Sequence, residues 1–182
     1  KLAALPCKNS NAIMYINREA LEEDGLDPDD PPSTLAEVRS ASEALVDQDV
    51  TQFGITWPNH VWFVETWYGF EGELMTDAEN GHAGDPSEFR TSDAITDLYE
   101  WWQGMSEDGL YTNPGIEAWG EATSLFIEQE SAMLLTSTAS VAGLLADSED
   151  FDVDAAPYPG ISDTRVGPVI GGASFYVPDG LP

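Results

Sequence analysis

A run of hydroxyl side chains, Thr136, Ser137, Thr138 and Ser140, directly follows an unbroken apolar stretch, Ala132-Met-Leu-Leu135. That stretch is too short for a spanning helix and fits a strand buried on both faces. In an open α/β sheet, ligands bind at the carboxyl ends of such strands. The next helix begins there with backbone N–H groups that have no intrahelical partner, so hydroxyls and free N–H groups can meet a polar ligand. Ser137 and Thr138 are therefore candidate ligand contacts. On local sequence alone, the simpler reading is that Ser137 or Thr138 caps that helix. Upstream, Trp57 stands just after a second short apolar stretch, Phe53-Gly-Ile-Thr56. An aromatic face beside polar groups suits a sugar or other polyol, whose C–H faces pack on the ring while its hydroxyls hydrogen-bond. Trp62, Phe63, Thr66, Trp67 and Phe70 recur at helical spacing and read mostly as core. Gly171 and Gly172 interrupt a final strand over 169–177. Such glycines mark a bulge, a hinge, or the close approach of another backbone or a ligand.

Other chemistry has little support. His60 and His82 are isolated, and no nucleophile elbow, P-loop or dinucleotide fingerprint is present. Carboxylates are numerous enough for a glycosidase pair, but in so acidic a chain their number carries no information. Acids alternate through Asp147 to Asp154, yet the central glycine of a calcium loop is missing, so a solvated acidic edge is expected there. The expectation is a binding protein, not an enzyme, with no catalytic residue, metal or cofactor.

The 182 residues suit one large domain, and 42% hydrophobic residues with six tryptophans are enough for a core. The charge is lopsided: 34 acidic against 6 basic residues, a net −28. The acids are spread along the chain, so a disordered tail is not implied. A folded, lysine-poor, uniformly acidic protein fits a high-salt environment, where the Debye length falls to about 3 Å at 1 M. A halophilic source is expected. Nucleic-acid binding is excluded, since phosphate contacts need Lys and Arg. The lone Cys7 rules out an internal disulfide. Ala-Leu-Pro-Cys7 lacks the apolar segment and the small residue of a lipoprotein cleavage box. No stretch reaches the roughly 18 apolar residues of a membrane span. The opening at Lys1 and the end at Gly180-Leu-Pro182 suggest an internal fragment of a longer protein.

These residues need a scaffold of alternating strands and helices. Ala12 to Asn17 reads as a strand, and Asn17 as the cap of a short helix over 18–24 that stops at Gly25. Thr34 and Glu37 form a capping box for a helix from about Leu35 to Val46. Pro58 fits a turn or a first helical position. A polar loop or irregular hairpin follows over 71–89. Ser92 caps a long helix to about Asp108, a loop covers 111–115, and a helix over 118–129 leads into the central strand. A short helix over 141–146 and a strand over 153–156 complete the pattern. The expected fold class is α/β, a three-layer domain with Ala132–Leu135 central.

Several stretches, in order, resemble the family 1 extracellular solute-binding proteins of ABC importers. Leu5-Pro6, Tyr15-x-Asn17-x-x-Ala20-Leu21, and Gly25-Leu-Asp-Pro with Pro31-Pro-Ser-Thr34 are similar to that family's crossover into its second lobe. Phe126 with Ala132-Met133 resembles its Phe-x-x-Gly-x-x-Ala-Met motif, with Gln129 where the family has glycine. Gly171-Gly-Ala-Ser174 resembles the crossover back. The motifs are more similar to the glycerol-3-phosphate-binding type than to the maltose-binding type. The resemblance implies a periplasmic-binding-protein-like (type II) fold. Residues 1–12 would be a crossover from a first lobe, 13–170 most of a second lobe, and 171–182 the strand leading back. By the same resemblance, ligand contacts would be Ser10, Trp57 or alternatively Trp62, Ser137 and Gly172. The implied function is capture of a sugar or glycerol-3-phosphate-like polyol outside the membrane and delivery to a permease. The receptor would be a monomer, anchored at the cell surface through a preceding segment.

Overall fold

The computed structural model describes residues 4–176. Expectations that touch 1–3 or 177–182, the outer ends of the two crossover segments, lie outside the described residues. Among the described residues, seven strands form two sheets. They are β1 (Ala4–Ser10), β2 (Ala12–Asn17), β3 (Phe53–Thr56), β4 (Tyr111–Thr112), β5 (Ser131–Ser137), β6 (Val153–Ala156) and β7 (Gly171–Tyr176). The larger sheet has the order β4-β3-β5-β2-β6, with β5 in the middle. β3 runs parallel to β4 and β5, while β2 runs antiparallel to β5 and β6.

The central position of β5 explains its composition. Met133 and Leu135 join a cluster with Met14, Ile55, Leu45, Phe63 and Leu98, built with helices Leu35–Asp47, Val61–Glu71 and Asp93–Glu107. Leu134 faces the other way, toward Tyr15, Ala122, Phe126 and Leu144. Helices Trp119–Ile127 and Val141–Asp147 cover that face. Both faces are dry, so the strand has no polar alternation. The result is a three-layer α/β domain.

Local signals set the helix starts. Asn17 Oδ1 accepts the Ala20 N–H at 3.0 Å, and Thr34 with Glu37 forms a complete capping box. Ser92 accepts from the Ile95 N–H. Helix Val61–Glu71 begins three residues after Pro58, with His60 rather than a hydroxyl residue as its cap. The 111–115 segment, expected as a loop, includes the two-residue edge strand β4. Between the Thr76 and Phe89 bridge partners lies a turn in which Ala78, Glu79 and Asn80 all have positive φ.

The second sheet is a two-stranded ribbon of β1 and β7. Ser10 pairs with Gly171 and Asn9 with Gly172, and the register shifts between Pro6 and Lys8. Pro6 lacks the N–H that regular pairing would use, and the irregularity falls beside it. Asn11 joins the ribbon to the main sheet. Its N–H donates to Thr138 Oγ1 at 3.1 Å, and its carbonyl accepts the Thr138 N–H at 2.9 Å.

Candidate functional site

A cleft of about 590 Å³ opens where the ribbon, the carboxyl end of β5 and the first turn of helix Val61–Glu71 meet. Ser10, Trp62, Ser137, Gly171 and Gly172 all line it. They come from four separate stretches of chain, so the fold alone brings them together.

Trp62 forms one wall and is fixed at both ends. Its backbone N–H donates to His60 Nδ1 at 3.0 Å, and its indole Nε1–H donates to the Val169 carbonyl at 2.9 Å. The second bond ties the approach to β7 against the indole. Gly171 then passes close beneath the ring: a Cβ there would lie 3.0 Å from Trp62 Cζ2 and 3.1 Å from Ser10 Oγ. Gly172 has φ 141°, and a Cβ on it would lie 2.0 Å from the Lys8 carbonyl oxygen. Only glycine fits there.

Ser137 ends β5, and its Oγ accepts the Ala139 N–H at 3.1 Å, capping the single turn Thr138–Ser140. The cap reading and a place in the cleft therefore hold together: the hydroxyl hydrogen and a second lone pair remain for another partner. The Ser10 hydroxyl has no hydrogen bond among the described residues.

Two expected contacts lie elsewhere. Trp57 is fully buried. Its ring lies 3.9 Å from that of Tyr111 and stacks on Trp101 at 6.0 Å between centroids, with Trp67 and Trp102 also against it. It stands at the end of β3, but β4 and helix Asp93–Glu107 close over it, so it belongs to the core. Burial also pushes the Tyr111 phenol well above its ordinary range. Thr138 does not line the cleft: its hydroxyl accepts the Asn11 N–H and clasps the ribbon to the sheet.

His60, Trp119, Glu65, Lys8, Ala139 and Ser140 complete the lining. Trp119, at the start of its helix, supplies a second aromatic wall 6.4 Å from Trp62, and the His60 ring lies 5.2 Å from it. Glu65 and Lys8 bring one formal charge of each sign to the lining. Helical spacing places Glu65 beside Trp62, but nothing in the sequence places Trp119 there. Its segment is brought in by a bridge between Asn59 and Ile116. Aromatic walls, hydroxyls and exposed backbone suit an uncharged, hydroxyl-rich ligand surface. Another depression of about 440 Å³, by Pro31, Pro32 and Glu37, has no aromatic wall. Among the described residues, no group of three His, Cys, Asp or Glu is placed to hold a metal ion, and no helix is long and apolar enough to cross a membrane.

Residues 1–182 match the family model described as bacterial extracellular solute-binding protein. The sn-glycerol-3-phosphate-binding periplasmic protein UgpB of Yersinia pseudotuberculosis is 28% identical over 187 residues, covering 99% of this chain and 41% of that protein. The Brucella abortus protein of the same name is 26% identical over 185 residues, with the same coverage of 99% and 41%. The chain thus spans about two-fifths of the length of these relatives. Among solved structures, the GacH receptor of Streptomyces glaucescens matches with a TM-score of 0.76 at 19% identity, covering 100% of this chain and 45% of that one. UgpB from Mycobacterium tuberculosis, solved with glycerophosphocholine, matches with a TM-score of 0.75 at 22% identity, covering 98% and 43%. These structural likenesses show a shared fold, the solute-binding-protein fold.

Proposed function

The chain belongs to the bacterial extracellular solute-binding protein family, and from that premise we propose that it is the substrate-binding component of an ABC importer. It captures a sugar or a glycerol-3-phosphate-like polyol outside the membrane and delivers it to a permease. The observation that carries this reading is the cleft itself, where Ser10, Trp62, Ser137, Gly171 and Gly172 converge. Relatives named for glycerol 3-phosphate and a neighbour solved with glycerophosphocholine support the polyol class. In this reading residues 13–170 are most of one lobe of a two-lobe receptor. The ribbon segments 1–12 and 171–182 are its crossovers, and Trp62 rather than Trp57 is the ligand-facing tryptophan.

The test is titration of the full-length receptor with glycerol 3-phosphate, glycerophosphocholine and maltose, followed by intrinsic tryptophan fluorescence and calorimetry. Saturable binding with the ligand recovered unchanged is expected. Absence of binding to all three, or conversion of a bound ligand to product, would overturn the proposal.

A further inference from the structure

We propose that Glu117 is a positioning residue of this cleft, holding the Trp119 indole directly and the Trp62 backbone through His60, without touching the ligand. The inference rests on the solute-receptor reading and names a residue outside its contact set. Glu117 Oε2 accepts the Trp119 Nε1–H at 3.1 Å, and Oε1 lies 3.3 Å from His60 Nε2. His60 Nδ1 is committed as acceptor to the Trp62 N–H. In the neutral ring the hydrogen then sits on Nε2, facing Glu117. One carboxylate therefore steers the indole of Trp119 directly, and the backbone of Trp62 through His60.

The backbone at Glu117 is shaped for this task. It has φ 56°, a left-handed conformation that side chains other than glycine, Asn and Asp disfavour. The Glu117 N–H donates to the Asn59 carbonyl at 3.3 Å, and the Glu117 carbonyl accepts the Trp119 N–H at 2.9 Å. The Asn59 N–H donates in turn to the Gly115 carbonyl at 2.9 Å. These bonds join the segment before helix Val61–Glu71 to the segment before helix Trp119–Ile127. The Glu117 side chain is 64% exposed. Exposed pairs add little to folding stability, so its double engagement bears on orientation.

Glu117→Ala and Glu117→Gln in the full-length receptor, with tryptophans labelled with ¹⁵N, test this. In Glu117→Ala the Trp119 indole N–H resonance should move. Affinity for whichever of glycerol 3-phosphate, glycerophosphocholine and maltose binds should fall by up to about fivefold, the most that an exposed interaction of this kind can supply as preorganisation, with the melting temperature nearly unchanged. Glu117→Gln keeps an acceptor for the indole and should restore most of the affinity and the resonance. An unmoved Trp119 resonance in Glu117→Ala would overturn the proposal, as would unchanged affinity or a glutamine variant as weak as alanine. If the wild type binds none of the three probes, the solute reading fails, and the indole resonances alone still decide whether Glu117 holds the wall.

Discussion

Gly171 packs directly against Trp62: a Cβ on Gly171 would lie 3.0 Å from the indole Cζ2. The neighbouring glycine faces backbone instead, with 2.0 Å from its would-be Cβ to the Lys8 carbonyl oxygen. The two alanine substitutions should therefore fail differently. Gly171→Ala displaces an indole by a few tenths of an ångström and should weaken ligand binding more than it lowers stability. Gly172→Ala must push β1 away from β7 and also occupy φ 141°, so it should lower stability first. Melting curves and ligand titration of both variants check this; equal losses in both measurements would contradict it.

Trp57→Ala should cost stability alone, whereas Trp62→Ala, at a residue only 9% exposed and packed in the same core cluster, should cost both stability and binding. Trp57 is fully buried against Tyr111 and Trp101, so Trp57→Ala should cost about 3–5 kcal/mol of stability. Trp62 lines the cleft, and Trp62→Ala should weaken ligand binding by about tenfold, the scale of a lost aromatic contact. Urea unfolding and calorimetry on the two variants would show it. A Trp57→Ala variant of wild-type stability would count against its core assignment.

What the sequence disclosed depended on how local each signal is. The caps at Asn17, Thr34 and Ser92 act over three residues, so their types alone announced the helices. The apolar run at Ala132–Leu135 follows from burial on both faces of β5. β4 is only Tyr111–Thr112, too short for any period to show. β1 contains Pro6 and Lys8, is exposed from Leu5 to Asn9, and owes its pairing to β7 some 160 residues later. The site was half legible for the same reason. Strand ends and the glycine pair could be read along the chain, whereas the burial of Trp57 and the arrival of Trp119 depend on contacts between distant segments.

Gln129 occupies a position that suits glycine. It has φ 59° at the end of helix Trp119–Ile127, where the Gln129 N–H donates to Phe126 and the Glu130 N–H to the Leu125 carbonyl. Gly25, Gly72 and Gly109 hold the same place after other helices. A non-glycine residue in this conformation costs about 1–2 kcal/mol. Among the described residues, the side-chain hydrogen bond that replacing Gln129 would lose is a long 3.5 Å bond from Asn17 Nδ2. Gln129→Gly should therefore stabilise the protein by roughly 1 kcal/mol, read as a higher urea midpoint with unchanged slope.

Glu37 links stability to pH. Its carboxylate accepts from the Ser33 N–H at 2.8 Å, the Ser33 hydroxyl at 2.9 Å and the Thr34 N–H at 3.0 Å. These bonds, the Ser33 N–H foremost, hold its pKa below the usual carboxylate range. Because the folded-state pKa is depressed, the contribution is fully present above the unfolded value of about 4.3 and is lost as pH falls through the lower folded value. Wild type should be more stable than Glu37→Gln at pH 7, and the gap should close in acid. A gap that stays constant down to about pH 2 would contradict the linkage.

Salt should raise stability, and the balance of opposing terms says why. Arg18 lies against Asp29 at 2.7 Å, Asp154 at 3.0 Å and Asp152 at 3.9 Å, and Arg39 pairs with Glu43 and Asp108. Salt weakens these pairs, but the carboxylates are largely exposed and each pair is worth about 0–1 kcal/mol. Against them stands the mutual repulsion of a net −28 charge. At 0.1 M salt the Debye length is about 10 Å, so neighbouring carboxylates repel one another; at 1 M it is about 3 Å and most of that repulsion is gone. Repulsion involves far more groups than attraction, so screening should help the folded state on balance. The melting temperature should climb as KCl is raised from 0.1 M to about 1 M and then level off as screening saturates. Arg18→Gln should melt lower than wild type at low salt, with the difference shrinking at high salt. A melting temperature that stays flat or falls over this range would show that the acidic surface is not adapted to salt.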